Sequence, residues 1–248
     1  FAYPDGRVAL DGVNLRLEAG KVTALVGENG AGKSTVAKLL ARFYDPTSGR
    51  VLVEGVDLRE LDIGSWRKSI GAVMQDFGRY QFTLQENLLL GEGRLEPEVP
   101  DTRELLNRSG LAELVERLEG GLDARLGKQF GGTELSGGEW QKVALARALV
   151  RREEAGLLIL DEPSSALDPR SEHELYEQFS EMAEGVTTLL ITHRLGSVRM
   201  ADVIYVLESG RVVEVGSHKE LLHAGGVYAG LWQMQASSYE AGFERSNR

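Results

Sequence analysis

A chain of 248 residues with 28 Lys and Arg against 38 Asp and Glu carries a formal net charge of −10, and its 42% apolar share is that of a globular protein able to bury a core. The acidic balance argues against a basic nucleic-acid surface. The absence of cysteine excludes disulfide frameworks and thiolate metal sites, and no apolar run reaches the ~18 residues of a membrane span. The start shows no secretory signal pattern. It opens on Phe1 in what reads as the end of a strand, so the sequence reads as a fragment whose upstream part is missing.

In chain order, Val8–Leu17 and the run Val22–Val26 are predicted as two strands around a turn at Ala19-Gly20. A glycine-rich loop follows, then Thr35–Phe43 with helical apolar spacing, closed by Asp45-Pro46. Gly49–Asp57 alternates as a strand, and Ile70–Met74 reads as another. From about 76 to 150 strand-like runs give way to helical segments, among them Thr83–Leu90, Asp101–Ser109, Leu111–Leu118 and Trp140–Val150. This texture predicts a helical subdomain inserted into an α/β core. Leu157–Leu160 and Thr187–Ile191 are short continuous apolar runs, as expected of strands buried on both faces of a parallel sheet. Ala201–Val215 reads as a hairpin turning at Glu208-Ser209-Gly210. Residues 1–236 are taken as one domain and the polar stretch 237–248 as a frayed tail.

The segment Gly27-Glu28-Asn29-Gly30-Ala31-Gly32-Lys33-Ser34 fits G-x-x-x-x-G-K-[ST] between a strand and a helix, the context that pattern requires. Its glycines let the backbone turn tightly and aim N–H groups at phosphate oxygens, and the helix adds its positive end. Asn29, Gly30, Ala31 and Gly32 are therefore expected to wrap a nucleotide phosphate. Lys33 is expected to reach the β- and γ-phosphates, Ser34 to ligate Mg²⁺, and Thr35 to donate to an α-phosphate oxygen.

The run Leu157–Leu160 ends in Asp161-Glu162-Pro163. Adjacent strand residues point to opposite sides, so Asp161 can face Mg²⁺ while Glu162 faces the volume near a γ-phosphate, suited to a general base or water-orienting group. His193 closes a second apolar strand. In parallel α/β sheets ligands sit at the carboxyl ends of strands, which makes His193 a candidate γ-phosphate contact. Gln75 follows the Ile70–Met74 strand, where an amide can touch Mg²⁺ or the attacking water. His173, His218 and His223 have no such context.

Leu135-Ser136-Gly137-Gly138-Glu139 precedes the helix starting at Trp140. The serine and glycines make either a capped helix junction or a second phosphate contact, and composition does not decide between them. This pentapeptide, with Gln141, resembles the signature motif of ATP-binding-cassette (ABC) ATPases. Other landmarks follow in that family's order: Tyr3 in Phe1-Ala2-Tyr3-Pro4, the phosphate loop, Gln75, the signature, Asp161-Glu162, Ser165-Ala166-Leu167-Asp168 and His193. The resemblance covers about residues 1–235.

What the resemblance implies is a P-loop NTPase α/β fold with a parallel sheet, an N-terminal antiparallel β subdomain and an inserted helical subdomain. It implies an Mg²⁺-dependent ATPase working as a head-to-tail dimer. ATP stacked on Tyr3 and held by the phosphate loop of one chain would be covered by Ser136, Gly137 and Gly138 of a second ABC domain, with Glu162 as catalytic carboxylate. The Phe1–Pro4 form and Thr83-Leu84-Gln85-Glu86-Asn87 look like the exporter branch. There the domain commonly follows a transmembrane domain on one polypeptide and works at the cytoplasmic face of the membrane. Two features depart from the pattern. Gly127–Glu134 does not match the T-x-V-G-E-x-G loop of many exporters, and the signature ends in Glu139 where Gln is often found. An importer ATPase subunit and a soluble, non-transport ABC ATPase are the competing readings. The latter lacks its usual coiled coils or tandem cassette here, and the charge disfavours nucleic acid.

Overall fold

The structure is a computed structural model and describes residues 1–90, 102–150, 155–163 and 183–246. In chain order its elements begin with β1 (Val22–Val26), α1 (Lys33–Leu40), β2 (Leu52–Val53), β3 (Val56–Asp57), α2 (Ile63–Lys68) and β4 (Ile70–Val73). Helices α3 (Leu84–Leu89), α4 (Thr102–Arg108), α5 (Ala112–Arg117) and α6 (Gly137–Leu149) come next. Then follow β5 (Leu157–Asp161), β6 (Thr188–Ile191), α7 (Leu195–Val198), β7 (Val203–Glu208), β8 (Arg211–Gly216), α8 (His218–Ala224) and α9 (Val227–Ser246). The chain divides into two compact units, Phe1–Ser65 with Thr187–Arg248, and Trp66–Val186.

In the first unit β1 pairs in parallel with β6 on one side and with β7 on the other, and β8 returns antiparallel to β7. Every residue of β1 and β6 is buried, which explains why both read as unbroken apolar runs rather than alternating ones. The predicted hairpin turn is present: Ser209 and Gly210 both have positive φ, 48° and 78°, as the tight turn between twisted strands demands. One face of this sheet packs Ala24, Val26, Ile204 and Val206 with Val198, Leu221 and Tyr228.

Three expectations in this unit are corrected. Val8–Leu17 forms no strand. It makes one isolated bridge, Ala2 with Val8, and its other backbone bonds go piecemeal, Ala9 and Leu10 to the Phe1 carbonyl and Asp11 to Gly210. Gly49–Asp57 is not one strand but the antiparallel pair β2–β3, because Glu54 and Gly55 take positive φ of 50° and 86° and fold it back on itself. The first helix stops at Leu40 rather than Phe43. Arg42 turns left-handed at φ 51°, with Arg42 N–H donating to Leu39 O and Phe43 N–H to Lys38 O, a Schellman termination without the usual glycine. Its guanidinium is tied down by Asp45 and by the Leu61 and Arg59 carbonyls, which offsets the left-handed strain. Helix α9 spans Val227–Ser246.

In the second unit β4 pairs in parallel with β5, with Ile70 opposite Leu157 and Val73 opposite Leu160. Helix α6 packs on β4, α3 and α4. A Cβ on Gly71 would come within 3.1 Å of the Ala148 carbonyl, so glycine is what lets α6 lie this close to β4. Leu84, Leu88, Leu111, Leu126 and Leu145 are fully buried in this unit, each worth about 1.5–3 kcal/mol of transfer free energy. The first three predicted helices are present within one residue of their expected ends, and the fourth starts at Gly137, three residues before Trp140, because the two glycines after Ser136 already form its first turn. Thr83 caps α3 and Ser136 caps α6, each in a reciprocal box with a glutamate three residues on.

Candidate active site

In the first unit the buried strand β1 delivers the chain into the phosphate loop, and the loop's glycines do different work. A Cβ on Gly27 would stand 2.2 Å from the Leu207 carbonyl, and one on Gly32 would stand 2.6 Å from the Ala9 carbonyl. These two allow close packing of the loop against its neighbours. Gly30 has open space but a φ of 84°, so it supplies backbone conformation. Lys33 is 5% exposed, and its ammonium donates to the Gly27 carbonyl at 2.8 Å and the Glu28 carbonyl at 2.9 Å. The loop is thereby held closed by its own lysine, with Ser34 and buried Thr35 on the first turn of α1.

The Tyr3 and Thr35 hydroxyls share a hydrogen bond of 3.0 Å. The Tyr3 ring sits edge-on to Phe1 and Tyr44, and the Arg7 guanidinium lies 4.9 Å from its centroid. The structure thus joins Tyr3 to the phosphate loop through the first turn of α1, a link the sequence did not signal. His193 leaves β6 beside β1, where Thr192 N–H donates to the Leu25 carbonyl at 3.3 Å. Arg194 N–H returns to the Thr192 hydroxyl at 2.9 Å, and the Gln235 amide of α9 donates to the His193 carbonyl. His193 itself is exposed. The parallel pairing of β1 and β6 therefore brings His193 and the phosphate loop off the same end of one sheet.

In the second unit Asp161 ends β5 with 2% exposure, and Glu162 follows with a φ of 50°. A non-glycine residue held left-handed costs about 1–2 kcal/mol and turns its side chain away from the direction the strand would give it. Sequence reasoning gave Asp161 and Glu162 opposite sides by strand alternation, but it carried no signal for this backbone. Because Val73 pairs with Leu160, the chain toward exposed Gln75 and the chain toward Glu162 leave the same end of the β4–β5 pair. Ser136 is exposed at the head of α6, and its hydroxyl accepts from Glu139 N–H at 3.3 Å while its N–H donates to the Glu139 carboxylate at 2.7 Å. Gly137 and Gly138 form the first turn, half-exposed. The capped-junction reading of this motif is therefore realised, and it leaves the serine and glycines at the surface.

The loop Gly127–Glu134 is closed by Gly127 N–H to Thr133 O and Gly132 N–H to Gly127 O. A Cβ on Gly132 would stand 2.3 Å from the Arg125 carbonyl, so this departure from the exporter pattern has its own backbone requirement. Ser165–Asp168 lies outside the described residues. Gln141, read only as part of a motif, is 2% exposed, and neither amide atom has a hydrogen-bond partner among the described residues.

Residues 10–165 match the ABC transporter family. The chain is 42% identical over 237 residues to the ATP-dependent lipid A-core flippase of Ralstonia nicotianae, covering 95% of this chain and 39% of that protein. The chain belongs to the ABC transporter family. It is also 40% identical over 243 residues to the heterocyst differentiation ATP-binding protein HepA of Nostoc sp., covering 98% of this chain and 38% of that protein. Among solved structures, a bacterial Atm1-family ABC exporter with ATP bound superposes with a TM-score of 0.86 at 38% identity, over 95% of this chain and 41% of that one. The chain is thus an ABC nucleotide-binding domain of the exporter type, with the P-loop NTPase fold, and spans about two fifths of the length of the relatives it matches. No helix among the described residues is long and apolar enough to cross a membrane.

Proposed function

We propose that this chain is the Mg²⁺-dependent, ATP-hydrolysing domain of a membrane exporter, working with a second ABC domain in a head-to-tail dimer. The observation that carries the reading is the Asp161–Glu162 pair, a buried carboxylate followed by a glutamate held at a φ of 50°. Strain of this kind persists where the surrounding structure enforces it, and it gathers at active sites.

The Mg²⁺ ligands would be Ser34, Asp161 and Gln75. They offer hydroxyl, carboxylate and amide oxygens, the hard donor set this ion takes alongside water and phosphate oxygens. When bound, the ion would neutralise charge on the β- and γ-phosphates. Phosphate oxygens would compete for the Lys33 ammonium now given to the Gly27 and Glu28 carbonyls, and the N–H groups of Asn29 to Gly32 would close around them. Glu162 would accept the proton of the water that attacks the γ-phosphorus, giving ADP and phosphate. His193 would donate to the γ-phosphate, and Tyr3 would pack against the adenine.

The exposed Ser136, Gly137 and Gly138 at the head of α6 suit contact with ATP held by another chain. Coupling to membrane helices would run through the segment after Gln75. Tyr80 and Phe82 there are exposed and stacked 6.0 Å apart, beside a groove of about 470 Å³ lined by Met74, Phe77, Tyr80, Leu90 and Arg147. A transmembrane domain on the same polypeptide at the cytoplasmic membrane face fits the greater length of the relatives. The domain boundaries read as 1–236, with the helical subdomain at 76–150, belong to the same proposal. The test is Glu162→Gln. It should hold ATP with near-normal affinity and release phosphate at least ~100-fold more slowly. Undiminished phosphate release would remove Glu162 from the chemistry.

A further inference from the structure

Helix α6 carries a contradiction at its head. Its positive N-terminal end suits a phosphate, yet Glu139 sits at its third position with an anionic carboxylate. That carboxylate already takes the Ser136 N–H at 2.7 Å, so it occupies the pole an incoming phosphate would use. Across 22 residues of sequence, the guanidinium of Arg117, at the end of α5, forms an ion pair with Glu139. Burial pushes the Glu139 carboxyl up, but the Ser136 bonds and then Arg117 outweigh it and leave it lowered, so the glutamate is charged at neutral pH.

We propose that Arg117 is a positioning residue for the reaction: by pairing with Glu139 it cancels the negative charge that this carboxylate brings to the first turn of α6 and keeps Ser136 and the helix end receptive to the ATP phosphate presented by the partner domain. The proposal rests on the head-to-tail reading above. The geometry separates the parts cleanly. Arg117 is largely exposed, so it has little to do with the core, and it reaches the serine only through Glu139. An exposed pair of this kind contributes little to folding. Its consequence lies in the field seen by a second anion arriving within a few ångströms. Without the guanidinium, that anion meets an uncompensated carboxylate.

The experiment is a charge cycle on steady-state ATPase, with Arg117→Ala, Arg117→Lys, Glu139→Gln and the double variant R117A/E139Q, alongside Ser136→Arg as reference. R117A is expected to lower kcat/KM for ATP by roughly five- to tenfold, the scale of one bare charge near a phosphate at intermediate dielectric. ATP binding to the single chain, read by fluorescence of a trinitrophenyl analogue, should stay at the wild-type value, because the phosphate loop is untouched. R117K should retain most of the rate. R117A/E139Q should match E139Q alone, since with the carboxylate gone the arginine has nothing to cancel. An R117A rate equal to wild type, or an R117A loss that persists in full when Glu139 is Gln, overturns the proposal. S136R separates the two levels. If it too leaves the ATPase rate unchanged, the head-to-tail reading beneath the proposal falls. If S136R abolishes turnover while R117A does nothing, only the role of Arg117 falls.

Discussion

The Lys33 ammonium donates to the Gly27 carbonyl at 2.8 Å, six residues upstream, and closes the phosphate loop on itself. A buried ammonium, 5% exposed here, needs such hydrogen-bond partners to offset its loss of water. The same bonds define what it costs to lose. Lys33→Met keeps the aliphatic stem and removes the donor, so the Gly27 and Glu28 carbonyls lose the ammonium, Glu28 O keeping the Ala31 N–H, and the phosphates lose their cation. ATP affinity should fall at least about tenfold, the scale of one charge-assisted hydrogen bond. Equilibrium binding of a fluorescent ATP analogue measures it, and unchanged affinity would remove Lys33 from the nucleotide site.

Glu162 combines chemistry with strain, and a pair of variants separates them. Glu162→Gly removes the side chain and allows a φ of 50° without penalty, so it should raise the thermal midpoint by a few degrees, about 1 kcal/mol, while stopping turnover. Glu162→Gln keeps the strain and should leave the midpoint near wild type. Differential scanning calorimetry of both, without nucleotide, tests this. A midpoint for E162G at or below wild type would mean that the interactions lost with the Glu162 side chain outweigh the strain of its left-handed backbone.

What could be read from the sequence here was local. The phosphate loop sits within eight consecutive residues, so residue type and spacing were enough to find it, and a cap at Ser136 was one of two readings of its motif; the Thr83–Glu86 box, though spaced by the same three residues, went unread. The buried strands β5 and β6 were equally plain as apolar runs. Alternation misled at Val8–Leu17, where the pattern is strand-like but the backbone bonds scatter to Phe1 and Gly210. At Gly49–Asp57 the two-residue turn Glu54-Gly55 was hidden inside a regular alternation. The Tyr3–Thr35 bond, the Arg117–Glu139 pair and the left-handed Glu162 could not be read, because each depends on tertiary placement rather than on neighbouring residue types.

Gln141 lies two residues beyond Glu139 on α6, buried, with both amide atoms unpaired among the described residues. An unsatisfied buried amide costs about 1–3 kcal/mol, whereas an apolar side chain of similar shape carries no such penalty. Gln141→Met should therefore stabilise the chain by about 1 kcal/mol or more, raising the thermal midpoint by roughly 2–4 °C. Circular dichroism melts on nucleotide-free protein give the answer, and a lowered midpoint would show that the amide is stabilising as it stands.

The last packed turn of the first unit predicts a pH dependence. His218 Nδ1 and the Tyr228 hydroxyl are 2.7 Å apart, and Trp232 lies against the imidazole at 4.6 Å between ring centres. Burial, then the charges of Arg199 and Lys219, lowers the His218 pKa from 6.5, and burial raises Tyr228 to about 12, with Arg199 opposing. Both shifts favour the neutral pair, with tyrosine donating to an unprotonated nitrogen. A lowered histidine contributes stability that is present above its unfolded value of 6.5 and is lost as pH falls through the folded value. A raised tyrosine contributes below 10 and loses that contribution as pH climbs toward 12. Tyr228→Phe removes the bond and should cost about 1 kcal/mol at pH 7.5. The difference from wild type should shrink as the pH falls through the lowered folded value of His218, where the imidazole takes up a proton and can no longer accept from a tyrosine hydroxyl. Urea unfolding of the two proteins at pH 5, 7.5 and 10.5 measures it. A gap between wild type and Y228F that is constant across these pH values would mean that the ring pair packs without exchanging a proton-dependent bond.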